Sequence, residues 1–227
     1  MSLADELIKK GVLKNPRLIE AFRAVDRKEF VPDELEAFAY RDEPLPIGER
    51  QTISQPWTVA FMLELLNPQP GENILEIGYG SGWQTALLAA TGANIYAIER
   101  IKKLCEWGKE NVERLRKDVS FGSIQFFCQD GAKGLPEIAR SIGSPHSGEA
   151  GGFDKIIVAA ALQAAKIPSD DGTVAVLPSA WKDQLKIGGS IVAPIEHSIF
   201  LFTKKAHNQF DEREYSGFAF VPLVEEN

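Results

Sequence analysis

Carboxylates, glycines and one serine are spaced along this 227-residue chain so that they could hold a ligand and act on it. Glu76 stands two residues before Gly78 in an apolar run, and Gly78-x-Gly80-x-Gly82 follows at once. Glu99 ends the next apolar run, and Gln129-Asp130-Gly131 ends a third. Upstream, Gln51-Thr52-Ile53-Ser54-Gln55-Pro56 carries a hydroxyl directly before a helical pattern. Gly78 and Gly80 permit backbone angles and a close approach that a Cβ would forbid, so a ligand can lie against main-chain N–H groups beyond the strand end. A carboxylate at the next strand end can accept from both hydroxyls of a ribose, and one at the third from an exocyclic amine.

Glycine spacing selects among ligands. A dinucleotide fingerprint of the form G-x-G-x-x-G would need glycine at Trp83, whereas this chain reads G-x-G-x-G, which favours S-adenosyl-L-methionine over NAD. Each residue also has a plainer reading. Glu99 can serve as a helix-starting acid favoured by the dipole, Asp130-Gly131 as an ordinary turn, and Ser54 as the N-cap of the helix whose first turn holds Pro56.

The elements that must position these groups alternate in type. Apolar runs at Asn73–Ile77, Asn94–Ile98, Ile124–Cys128, Lys155–Ala159, Ser190–Pro194, Ser198–Thr203 and Gly217–Leu223 read as strands, with helices over Trp83–Ala90 and Lys102–Arg116 between the first three. This order predicts an α/β chain with a mostly parallel sheet covered by helices on both faces. Residues 1–50 read as short amphipathic helices forming a cap, and residues 51–70 as a turn feeding a helix. Residues 71–227 read as the cofactor-binding core of one single domain, with a mobile Gly/Ser/Pro loop at 141–152 and an insertion at 169–180.

Composition excludes several classes. The chain carries 25 Lys and Arg against 32 Asp and Glu, a net charge of -7, which disfavours a nucleic-acid backbone as partner. No stretch approaches the roughly 18 apolar residues of a membrane span. The two cysteines, Cys105 and Cys128, lack metal-ligand spacing, so no metal is expected, and they fit a reducing, cytoplasmic setting.

The motifs resemble those of the protein-L-isoaspartate O-methyltransferase family, class I S-adenosylmethionine-dependent enzymes. The resemblance rests most specifically on Gln51–Pro56. It is reinforced by the glycine turn with Gln84-Thr85-Ala86, by Ile98-Glu99-Arg100, Asp130-Gly131, Asp154–Val158, Gln184-Leu185-Lys186-x-Gly188-Gly189, and Phe220–Leu223. It implies a Rossmann-like fold with a seven-stranded sheet and methylation of the α-carboxylate of L-isoaspartyl residues in damaged peptides or proteins; the chain is expected to act as a monomer. The ester then closes spontaneously to a succinimide. It also implies that Ser54 is the active-site serine, that Thr52 and Ile53 line cofactor and substrate, and that cofactor contacts come from Glu76, Gly78, Tyr79, Gly80, Gly82, Glu99, Arg100, Asp130 and Gly131. Such chemistry asks little of the protein: a carboxylate is already ionised at neutral pH, so no general base is needed, and His146, His197 and His207 all fall outside the matched motifs.

The chain departs from the family at Tyr79, where a small polar residue is usual, and at Trp83, where tyrosine is. After Val158 the family has a short Pro-containing turn, whereas here Ala159-Ala160-Ala161-Leu162-Gln163 leads into an insertion; this segment also lacks the Pro-Pro-aromatic turn that grips a base amine. Glu196 stands where the family has glycine, and an acid facing a carboxylate substrate would be unfavourable.

Overall fold

The computed structural model describes residues 1–115, 119, 121–142, 151–160 and 177–219. Its seven-stranded sheet has the order β5-β4-β3-β6-β7-β8-β9. Here β3 is Asn73–Ile77, β4 Asn94–Glu99, β5 Ile124–Cys128, β6 Phe153–Val158, β7 Leu185–Ile195, β8 Ser198–Ala206 and β9 Gln209–Ser216. The first five in that order pair in parallel, and β8 and β9 pair antiparallel. A separate two-stranded hairpin is made by β1, Leu45–Gly48, and β2, Gln51–Ile53.

Alternation along each strand divides the core, because successive side chains point to opposite faces. Ile74, Ile95, Ala97 and Ile157 pack on one face against α4 (Trp83–Ala90), α5 (Lys102–Leu115) and α3 (Pro56–Leu66). Leu75, Ile77, Ile98, Ile156 and Val158 pack on the other with α6 (Pro136–Ser141) and α7 (Ser179–Gln184). Each such Leu, Ile or Val side chain, fully buried, contributes about 1.5–3 kcal/mol.

The N-terminal helices α1 (Leu3–Lys9) and α2 (Pro16–Ala24) start on side-chain caps, from Ser2 with Asp5 and from Asn15. Leu7, Leu18 and Phe22 join the same core cluster as Leu63, Trp83 and Leu87, so the first fifty residues are packed onto the sheet's helices. Phe22 meets Trp83 edge-to-face at 5.7 Å.

The last strand differs from the sequence expectation. The apolar run at Gly217–Leu223 suggested a strand there, but β9 lies earlier, at Gln209–Ser216, and residues 220–223 fall outside the described residues. This edge strand is mostly exposed on both faces, so it carries no alternation to read. Phe218 instead packs on Trp57 and Phe61 at 5.9 and 5.3 Å. Most of the 141–152 loop and of the segment after Ala160, including 169–176, also lies outside the described residues.

Cys105 and Cys128 form a disulfide, which corrects the expectation of two thiols in a reducing setting. The pair is 23 residues apart in sequence, and pairing of β5 beside the start of α5 brings the two Cα atoms to 5.7 Å.

Candidate active site

The parallel strands finish level with one another: Ile77 is paired with Ile98 and with Val158, and Glu99 with Cys128. Ligands of open α/β sheets sit beyond such carboxyl ends. Here an open cleft occupies that place. The hairpin contributes Thr52, Ile53 and Ser54 to its wall, the glycine turn Gly78, Tyr79 and Gly80, the end of β4 Glu99 and Arg100, and the end of β5 Asp130 and Gly131. Residues far apart in sequence and expected to act together are thus brought together.

Each wall is braced from behind. Glu99 is 6% exposed, and its carboxylate accepts hydrogen bonds from the amides of Gly80 (3.1 Å), Arg100 (2.8 Å) and Ile101 (2.9 Å). It therefore ties the glycine turn to the start of α5 while facing the cleft. Asp130 accepts from the Ala132 amide at 2.9 Å. The Gly131 carbonyl accepts from the Trp181 indole at 2.8 Å, and buried Gln184 holds Leu135 N–H and Lys133 C=O. Trp181 and Gln184, on α7, thereby fix the turn after β5.

The glycine turn works differently from the sequence expectation. The Gly78 and Tyr79 amides donate to the Ile98 carbonyl at 2.7 and 3.2 Å, Gly80 N–H to Glu99, and Gly82 N–H to the Tyr79 carbonyl at 2.8 Å. These N–H groups are spent inside the protein, so the turn offers close approach rather than donors. The bulk of Tyr79 is absorbed on the far side: its hydroxyl donates to the Cys105 carbonyl at 2.8 Å, and its ring packs on Phe126 at 5.1 Å.

Two expected contacts lie outside the cleft wall. Gly82 is the N-cap of α4 and packs against Gly108 and Val112 of α5. Glu76 is fully buried beneath the turn, where it accepts from Thr85 Oγ1 at 2.6 Å and Gln84 Nε2 at 3.0 Å. Its side chain alternates onto the α4 face of β3, away from the strand end, so it braces the helix that follows the turn. Burial pushes its carboxyl up from 4.5 to about 7, against the lowering effect of those two hydrogen bonds. A carboxyl raised on folding contributes stability that is fully present below about pH 4.5 and is lost as pH rises through about 7, here roughly 3 kcal/mol. Glu76→Gln is expected to remove that dependence. The difference in urea midpoint between wild type and variant should shift in the variant's favour from pH 5 to pH 8; a constant difference would refute it.

Ser54 is half-buried and its hydroxyl makes no hydrogen bond to the described residues. It is not the N-cap of α3. That place belongs to Gln55, with no side-chain cap bond, and Asp42 reaches over to accept from the Trp57 amide at 2.8 Å. Glu196 is exposed in the β7–β8 turn with φ 52, the backbone region glycine favours, and lies outside the cleft wall. The unfavourable inward charge is therefore absent.

Sequence reasoning missed Ile47, Ile101 and Leu104, which add apolar lining. Ile101 and Leu104 are spaced as one face of a helix between lysines, a signal that was available. It also missed Arg27, for which the sequence offers no signal. Among the described residues no cluster of His, Cys, Asp and Glu could hold a metal, and no helix is long and apolar enough to cross a membrane.

The family model described as "Protein-L-isoaspartate(D-aspartate) O-methyltransferase (PCMT)" matches residues 1–227. A protein-L-isoaspartate O-methyltransferase of Dictyoglomus thermophilum is 40% identical over 222 residues, covering 96% of this chain and 88% of its own length. One from Methanospirillum hungatei is 38% identical over 218 residues, covering 95% and 88%. A Plasmodium falciparum structure described as a protein of the same name, in complex with S-adenosyl-L-homocysteine, superposes with a TM-score of 0.79 at 23% identity, over 99% of this chain and 97% of that one. That similarity bears on the fold.

Proposed function

The chain belongs to the protein-L-isoaspartate(D-aspartate) O-methyltransferase family, and on that premise we propose that it moves the methyl group of S-adenosylmethionine to the carboxylate of L-isoaspartyl residues, with Ser54 holding the acceptor. The observation that carries this reading is the convergence of the Ser54 segment, the glycine turn and the ends of β4 and β5 on one cleft.

The cleft suits the cofactor. A Cβ on Gly131 would lie 2.6 Å from Ile77 Cγ2, so the turn after β5 can press flat against the strand end and leave room for a ring. Glu99 would take a ribose hydroxyl on Oε2, which accepts one internal bond against two on Oε1. Asp130 would take the adenine amine, and Ile101 and Leu104 would cover the ring's apolar face. Arg100 and the main chain of Gly78 to Gly80 would line the remainder, with Thr52 and Ile53 shared between cofactor and acceptor.

The bound cofactor supplies an activated methyl group on a sulfonium. The chain's own residues then have to hold the acceptor carboxylate in line with that methyl, exclude water and donate without quenching the attack. The Ser54 hydroxyl, free of internal bonds among the described residues, suits the donation. No proton needs to be removed, which agrees with His197 and His207, the described histidines, lying outside the cleft wall.

We place the enzyme as a monomer acting on peptides and proteins rather than on nucleic acid or membrane. The acidic balance supports this. Tritium transfer from S-adenosylmethionine tests the reading. Label should enter an isoaspartyl peptide as a base-labile ester and not its aspartyl twin. Equal labelling would point to a broader carboxylate methyltransferase, and no label in either would sink the proposal.

A further inference from the structure

Arg27 is 1% exposed, yet no carboxylate bonds its guanidinium. Four main-chain carbonyls do. Nη1 donates to Ala39 (2.7 Å) and Arg41 (3.2 Å), and Nη2 to Glu43 (3.1 Å) and Ser54 (3.1 Å). Glu43 lies just before β1 and Ser54 just after β2, so a single nitrogen clasps both ends of the hairpin that walls the cleft. The guanidinium also sits over the Trp83 ring, 5.2 Å from its centroid, and Trp83 is the first residue of the helix after the glycine turn.

This arrangement is costly unless the order it imposes is used. A buried guanidinium loses its hydration, and burial pulls the group down to about 10, with Asp42 and Glu43 opposing at a distance; it stays protonated at neutral pH. Its Nε has no partner among the described residues. An aliphatic side chain could fill the same space without that penalty, but it could not gather carbonyls from four points of the chain. Arginine's planar fork can, because its donors are fixed relative to one another.

The hairpin held this way is itself poised over the cofactor turn. A Cβ on Gly80 would lie 3.3 Å from Ile47 Cδ1, and the tip residue Glu49 pairs with Lys103 on α5 at 2.7 Å. The tip is thus tethered by an exposed ion pair, which is weak, while the base is tethered by buried bonds. The base is where Ser54 stands.

We infer that Arg27 is a positioning residue for methyl transfer: by bonding the Ser54 carbonyl and resting on Trp83, it fixes the Ser54 hydroxyl relative to the cofactor turn. The inference rests on the proposed role of Ser54. It does not make Arg27 a group that touches substrate.

The test is a double-mutant cycle on the full chain, read with an isoaspartyl peptide. Arg27→Lys keeps the charge and the stem but cannot span both pairs of carbonyls, and Arg27→Met keeps only the stem. Misplacing a reacting group by about 1 Å can cost on the order of 10²-fold, so Arg27→Lys should lower kcat/KM by roughly 10- to 100-fold, and Arg27→Met by more. The Kd for S-adenosylmethionine should stay within about threefold, since the glycine turn, Glu99 and Asp130 keep their own braces. In a Ser54→Ala background the same Arg27→Lys change should cost less than about threefold, because the hydroxyl it positions is gone. A merely structural role would instead give the same fold-loss in both backgrounds, and that result would overturn the inference. So would an Arg27→Lys protein that fails to fold or to bind cofactor.

If Ser54→Ala alone turned over normally, the reading of Ser54 would fall separately. The clasp is then judged by hydrogen–deuterium exchange over residues 45–54 in Arg27→Lys. Faster exchange there than in wild type upholds it, and unchanged exchange overturns it.

Discussion

Gly82→Ala should lower the thermal midpoint by roughly 5–15 °C and weaken S-adenosylmethionine binding at least about tenfold, although residue 82 lies outside the cleft wall. Gly82 has φ 85, where a Cβ costs about 1–2 kcal/mol. That Cβ would also stand 2.6 Å from the Gly108 carbonyl and 2.7 Å from Val112 Cγ2. Neither neighbour can step aside cheaply: the first is α5 backbone and the second is fully buried. Overpacking of this kind adds about 1–3 kcal/mol. The strain falls on the cofactor side because the Gly82 amide closes the turn on the Tyr79 carbonyl, and Asn111 on α5 holds the Ser81 carbonyl at 3.0 Å. Any shift of α4 against α5 therefore drags Gly80 and its bond to Glu99. Gly71→Ala is the control, since Gly71 has φ 79 but nothing within 4 Å of a Cβ. It should show the backbone strain alone, with cofactor binding intact. A Gly82→Ala protein that melts no lower than Gly71→Ala would refute the packing argument.

The contrast between those two glycines indicates which parts of the molecule could be read from sequence. A glycine spacing identifies a turn, but whether a Cβ meets open space or a helix backbone depends on a partner as distant in sequence as Gly108 is from Gly82, which spacing does not report. The same division runs through the chain. Strands β3, β4 and β6 were legible because apolar residues fill consecutive positions, as burial on both faces demands. Strand β9 was not, because an exposed edge has no core to pattern it.

In the site, residues that line the cleft were legible, and residues that brace it from beneath were misread or missed. Glu99 and Asp130 both line the cleft, as expected of carboxylates at or just beyond neighbouring strand ends. Glu76 was grouped with them on the same signal, but its position one residue before the strand's last side chain turns it to the other face, into a hydrogen-bonded pair with α4. The disulfide was invisible because two cysteines without a motif become neighbours only once β5 lies beside α5. Arg27 was invisible for a related reason. Carbonyl groups carry no residue identity, so a side chain that bonds four of them leaves no trace in its partners' sequence.

Ser54→Ala should reduce kcat on an isoaspartyl peptide by roughly 10²-fold, leave the Kd for S-adenosylmethionine within about threefold, and change stability by less than about 0.5 kcal/mol. The last expectation is what makes the variant decisive. A serine before a helix usually serves as its cap, and its loss then costs about 1 kcal/mol and blurs any catalytic reading. Here the α3 cap position is Gln55, the Trp57 amide is satisfied by Asp42, and the Ser54 carbonyl that Arg27 holds belongs to the main chain and survives the substitution. Truncation thus removes one hydroxyl and little else. A hydroxyl that donates to the acceptor carboxylate acts on its orientation toward the methyl, so the loss should appear in kcat, with a smaller rise in KM. A rise in KM alone would mean that Ser54 binds the acceptor equally in the ground and transition states. Turnover equal to wild type, with the melting curve unchanged, would remove Ser54 from the mechanism and leave the cleft without its proposed acceptor residue.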